Sequence, residues 1–164
     1  MVYLVTVPHT GTRFVQKILR DAGIKAKVEH TTGDKWRKLL RDDEKVLCTL
    51  RDPVLHMIGC INRGDGMHHG DFGRLAAKRR PNTHFFPVDC TEDRRAGEVA
   101  KLEAFLGCPV STNWEKVEES PDVFGLRAKY QETGEFPERF LKDITRPIHD
   151  LFAEHGYGLP WMRT

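Results

Sequence analysis

The sequence predicts an α/β fold, a parallel sheet covered by helices on both sides. Three observations predict it. Apolar, β-branched runs of strand length alternate with helical patterns through the first two-thirds of the chain. The run Lys45-Val-Leu-Cys-Thr-Leu50 is apolar enough to be buried on both faces, as a central parallel strand is. Several runs also end in short polar turns that open helices directly, at Gly11, Asp52 and Thr91.

The first strand begins at Val2 and runs into Pro8, and a polar turn around Gly11 follows. Phe14, Val15, Ile18, Leu19 and Ala22 then share one helical face, and Gly23 stops that helix. Residues 25–29 read as a second strand, with His30-Thr-Thr-Gly33 turning the chain. Asp34 is placed to cap a helix through Trp36, Leu39 and Leu40. After the third strand at 45–50, Asp52 as cap and Pro53 at the first helical position start a helix carrying Val54, Leu55, Met57, Ile58 and Ile61. Residues 64–73 read as a glycine-rich, solvated loop. Its His68 and His69 lack a third ligand at a useful spacing, so no metal is expected. Lys78-Arg-Arg80 reads as a solvated helix end. Residues 84–88 form a fourth strand that Pro87 confines to an edge or terminates, because proline cannot donate to a ladder. Thr91, Glu92 and Asp93 open a helix with Val99, Leu102, Phe105 and Leu106 on its apolar face, closed by Gly107. A polar stretch with Pro109 and Pro121 leads to a last helical region at 136–154, where Pro147 marks a kink or a restart.

At 164 residues the chain is long enough for one domain with a real core. A net charge of +2 gives no reason to expect nucleic acid, and no apolar run approaches a membrane span. The N-terminus does not read as a signal peptide. Cys48, Cys60, Cys90 and Cys108 form no C-x-x-C pair, so reduced, mostly buried thiols and a cytoplasmic protein are expected.

The chemistry is expected beyond the carboxyl ends of the strands, where open parallel sheets bind ligands. That rule selects residues 8–13, 30–33 and 51–53. A strand, tight turn and helix let backbone N–H groups and a helix N-terminus hold an anion, and His9, Thr10, Thr12 and Arg13 add donors and charge there. The GxxxxGK[ST] phosphate loop is absent, which argues against an ordinary nucleotide triphosphatase.

Pro8-His9-Thr10-Gly11-Thr12-Arg13-Phe14 resembles the loop of the sulfotransferases, which holds the 5′-phosphosulfate of 3′-phosphoadenosine 5′-phosphosulfate. Val46-Leu-Cys-Thr-Leu-Arg51-Asp52-Pro53 is similar to the family's strand whose terminal Arg binds the 3′-phosphate. His30 stands where cytosolic members carry the general base, and Phe85-Phe-Pro-Val-Asp and Ala104-Phe-Leu-Gly107 are similar to later family segments. The resemblance implies a three-layer P-loop-type fold with a parallel sheet of four to five strands. Residues 1–164 would form a single sulfotransferase-like domain that transfers a sulfuryl group to a hydroxyl or amine. It further implies His30 as catalytic base with His9 assisting, and His9, Thr10, Gly11, Thr12, Arg13, Phe14 and Arg51 as ligands of the nucleotide. Arg127 and Lys129 are the best substitutes for the family's closing loop. The 3′-phosphoadenosine 5′-phosphosulfate is the co-substrate, no metal is required, and the partner is a small-molecule or saccharide acceptor.

Three departures bear on these expectations. His9 replaces the family's loop Lys or Arg, a deficit that Arg13 could offset because a guanidinium stays charged. The Ser that follows the 3′-phosphate Arg in the family is Gly59, and the family's late Arg-Lys-Gly loop has no clear copy. These leave two alternatives, a nucleotide kinase-like enzyme and a non-catalytic nucleotide-binding module on the same fold.

Overall fold

In the computed structural model, which describes residues 1–33, 35–39, 44–116, 119–142 and 144–158, the first run forms β1 (Val2–Thr6), buried along its whole length. It feeds α1 (Thr12–Asp21), whose Phe14, Val15, Ile18 and Leu19 are buried at the spacing of one helical face. Next come β2 (Ala26–His30), α2 (Lys35–Leu39), β3 (Lys45–Leu50), α3 (Pro53–Arg63) and α4 (Gly70–Ala77). The chain continues with β4 (Thr83–Pro87), α5 (Glu92–Leu106), α6 (Leu126–Thr133) and α7 (Arg146–Glu154). Short 3₁₀ turns lie at Trp114–Lys116 and Glu138–Phe140.

The strands make one open sheet of four, in the order β2-β1-β3-β4, and every pairing is parallel. This is the α/β class read from the sequence, with helices flanking the sheet and a strand count within the expected range, consistent with a three-layer arrangement. Pro87 is the last residue of β4, an edge strand, as its missing N–H requires.

The backbone gathers into two compact units, Met1–Arg51 with Arg79–Glu118, and Asp52–Lys78 with Glu119–Thr164. The first holds the sheet. Val2 and Leu4 of β1, Leu47 of β3 and Phe86 of β4 pack with Phe14, Val15, Ile18 and Leu19 of α1 and Leu102 of α5. On the alternate strand positions Tyr3, Val5 and Cys48 are also buried, so both faces of the sheet are covered. Glu98 of α5 is buried with them, and the cations of Arg94 and Lys101 lie 3.3 Å and 3.0 Å from its carboxylate. In the second unit Val54, Met57 and Ile58 of α3 pack with Leu141, Leu126 and Phe140. There Phe72 of α4 and Phe152 of α7 meet edge to face at 4.9 Å.

Several boundaries differ from those read in the sequence. The second strand extends to His30, because its register pairs His30 with Thr6. The fourth starts one residue earlier and ends at Pro87. The end of the expected loop at 64–73 is helix: α4 starts at Gly70 because Phe72 and Leu75 are buried, and tertiary packing overrides the low helix propensity of glycine. His69 is accordingly buried rather than solvated. The last helical region is broken, and Pro147 sits in the first turn of α7, so it marks a restart. Asp34 and Leu40, read as a cap and as part of the second helix, lie outside the described residues.

None of the four cysteines is in a disulfide, and Cys48, Cys60 and Cys90 are buried. Burial pushes the Cys48 thiol up to about 12. Burial, with the carboxylates of Glu98 and Asp89, raises Cys90 to about 11. No helix among the described residues is long and apolar enough to cross a membrane.

Candidate functional site

The chain leaves β1 outward to β2 on one side, and the sheet grows through β3 to β4 on the other. The strand order therefore reverses between β1 and β3, the position beyond whose carboxyl ends open parallel sheets bind ligands. The turn of residues 7–11 stands at that point. Two of its residues take left-handed backbone, His9 at φ 67° and Gly11 at φ 81°. Gly11 has a second constraint: a Cβ there would meet the side chain of Val88 at 3.0–3.2 Å. Only glycine satisfies both the conformation and the close approach. His9 has no such exemption, so its left-handed conformation costs about 1–2 kcal/mol.

Thr10 holds the turn down. Its hydroxyl donates to the Val7 carbonyl at 2.6 Å and meets Thr49 Oγ1 of β3 at 2.5 Å, wholly buried. That side chain closes the turn on itself and ties it to β3, so Thr10 serves the site through the backbone. Phe14 likewise points into the core, its ring 5.6 Å from that of Trp114. Arg13 is exposed in the first turn of α1. Gly11, at the cap position of α1, has no side chain with which to cap the helix, and the first turn of α1 holds no acid.

His30 ends β2 beside Thr6, and a chain of hydrogen bonds joins it to the start of α1. Thr12 Oγ1 donates to Thr6 Oγ1 at 3.0 Å, and Thr6 Oγ1 lies 3.0 Å from His30 Nδ1. The backbone reinforces the arrangement, with Thr31 N–H donating to the Thr6 carbonyl at 3.0 Å. Thr6 is fully buried and the His30 residue is exposed, so the chain runs from the interior to the rim.

Arg51, at the end of β3, is 4% exposed. Its Nε lies 3.7 Å from Asp89 Oδ2, a carboxylate just beyond β4. The guanidinium thus shares its charge with an acid in this structure. In the second unit, Arg127 of α6 is buried, donates to Ser120 Oγ at 3.0 Å and pairs with Glu119 at 3.5 Å. Lys129 is exposed and pairs with Glu135 at 3.3 Å. Both side chains are thus engaged within their own unit. Among the described residues no group of three His, Cys, Asp or Glu is arranged to hold a metal ion.

The sheet brings residues 9–13, His30 and Arg51 to the carboxyl ends of adjacent strands, as the strand-end rule anticipates. Sequence reasoning missed Thr6, Thr49 and Asp89. The same rule applied to β4 selects Asp89. Thr6 carries no comparable signal, because its role depends on a register that only the paired strands reveal. Compared with protein-family models, with curated proteins and with solved structures, the chain matches none.

Proposed function

We propose that this chain binds 3′-phosphoadenosine 5′-phosphosulfate and transfers its sulfuryl group to a hydroxyl or amine acceptor. One observation carries the reading: a helix N-terminus that follows a Gly turn, a histidine and an arginine stand at the carboxyl ends of three neighbouring strands. The resemblance of residues 8–14 and 46–53 to the sulfotransferase motifs supports the choice of ligand. In this scheme the α1 N-terminus with Arg13 holds the 5′-phosphosulfate, where backbone donors stabilise charge on the transferring and leaving oxygens. Arg51 holds the 3′-phosphate, onto which a guanidinium can fork; that phosphate competes with Asp89 for the same charge. His30 receives the acceptor proton.

The test is thermal stabilisation of the full chain by adenosine 3′,5′-bisphosphate, set against AMP, ADP and ATP with and without Mg²⁺. A hundredfold excess over the dissociation constant gives about 2.7 kcal/mol of stabilisation, so a ligand of this site moves the melting temperature measurably. The bisphosphate should stabilise more than AMP, and Arg51→Ala should abolish that difference. Equal stabilisation by both ligands contradicts the proposal. Stabilisation by ATP only with Mg²⁺ points to kinase-like chemistry, and bisphosphate binding without turnover on an acceptor panel points to a binding module.

A further inference from the structure

The chain Thr12–Thr6–His30 has a direction, and that direction assigns a proton. Thr12 Oγ1 is the donor to Thr6 Oγ1. Thr6 is fully buried, and a buried hydroxyl hydrogen requires an acceptor. Among the described residues His30 Nδ1, 3.0 Å away, is the acceptor that remains for it. A neutral imidazole whose Nδ1 accepts carries its proton on Nε2. At the rim, His30 then presents an N–H donor and cannot take a proton there.

We propose that Thr6 is a positioning residue that couples the tautomer of His30 to the partner of the Thr12 hydroxyl, an inference whose ligand-bound half rests on the proposed sulfuryl transfer. When an oxygen of the bound anion accepts the Thr12 hydrogen, Thr12 Oγ1 is left able to accept. Thr6 turns its hydroxyl to donate to Thr12, and its oxygen becomes the acceptor for His30. The imidazole loses the Nε2 proton to water and gains one at Nδ1 from water, with no change in charge, since the ring is exposed. Nε2 then offers a lone pair to the acceptor hydroxyl. The histidine becomes a competent base only once the sulfuryl donor is in place, which suppresses proton chemistry in its absence.

The test reads the imidazole nitrogens directly, by ¹⁵N NMR of the full chain at about pH 8, above the ordinary imidazole range. His30→Gln identifies the His30 resonances by their loss. In the ligand-free parent, His30 should show a pyridine-like Nδ1 and a protonated Nε2. Thr6→Val should lose that preference and give a mixture, and Thr6→Ser, which keeps the hydroxyl, should retain it. Adding adenosine 3′,5′-bisphosphate should move the parent to a protonated Nδ1. Protonated Nδ1 in the ligand-free parent overturns the inference, as does a Thr6→Val ring with the parent's pattern. If Thr6→Val does not fold, the parent and Thr6→Ser still decide the assignment. Bisphosphate that stabilises the protein yet leaves Nε2 protonated overturns the coupling and spares the nucleotide site. If the bisphosphate does not bind, the nucleotide site and the ligand-driven switch both fall, and the Thr6 comparison in the free protein alone decides the tautomer assignment.

Discussion

The turns that open α1 and α3 both lead from a parallel strand into a helix, yet they fill the cap position differently. At α3, Asp52 Oδ1 accepts from the N–H groups of Val54 at 2.8 Å and Leu55 at 3.1 Å, and Pro53 removes a further donor. Tyr130 donates to the other Asp52 oxygen at 3.2 Å. That end is closed by the protein's own carboxylate. At α1 the cap position is Gly11, which has no side chain to offer, and the adjacent charge is the cation of Arg13. Start α6 also follows a left-handed glycine, Gly125, but Asp122 reaches across it to accept from Arg127 N–H at 3.0 Å and Ala128 N–H at 3.1 Å. The difference teaches that a left-handed glycine alone does not make an anion site. What matters is whether an acid in the same chain already occupies the positive end of the helix.

Three changes break or sharpen this comparison. The largest effect is expected at Gly11→Ala, which combines a left-handed side chain with overpacking against Val88. It should lower stability by about 2–4 kcal/mol in denaturant melts. A loss under about 0.5 kcal/mol would show that the turn relaxes freely. Next is Asp52→Ala, which uncaps α3 and should cost about 1–2 kcal/mol. Asp52→Asn keeps an accepting oxygen and should recover most of it. If the two variants melt alike, the cap contributes nothing.

The smallest effect is the pH dependence of the α6 cap. The N–H groups of Arg127 and Ala128 hold the Asp122 carboxyl below its ordinary value. A carboxyl whose folded value is lowered stabilises the fold above its unfolded value, about 3.9, and loses that contribution as pH falls through the folded value. Thermal melts of the parent should therefore exceed those of Asp122→Asn near neutrality, with the gap closing in acid. A gap that is constant or widens in acid contradicts the assignment.

The fold was legible where the signal is local. Lys45–Leu50 reads as a strand from its unbroken apolar run, and Asp52-Pro53 as a helix start from its cap chemistry. Legibility failed where long-range packing decides. Gly70 and Gly73 argue for a loop, yet Phe72 and Leu75 are buried and hold α4 in helix. At the candidate site, His30, Arg51 and Asp89 follow from strand ends, whereas Thr6 and the pairings themselves do not. Thr6 meets His30 through the β1–β2 register, and Asp89 meets Arg51 across the ends of β3 and β4. No spacing in a single sequence specifies those pairings, because parallel strands are joined by crossovers whose register is set in three dimensions.

The anion-holding role proposed for the α1 N-terminus is tested most directly by backbone amide NMR during titration with adenosine 3′,5′-bisphosphate. The account predicts that the N–H resonances of Gly11, Thr12, Arg13 and Phe14 shift with a common affinity, while those of Val54 and Leu55, already engaged by Asp52, stay in place. Unmoved resonances at residues 11–14 in a protein that the nucleotide stabilises would contradict it, and so would shifts centred on residues 54 and 55.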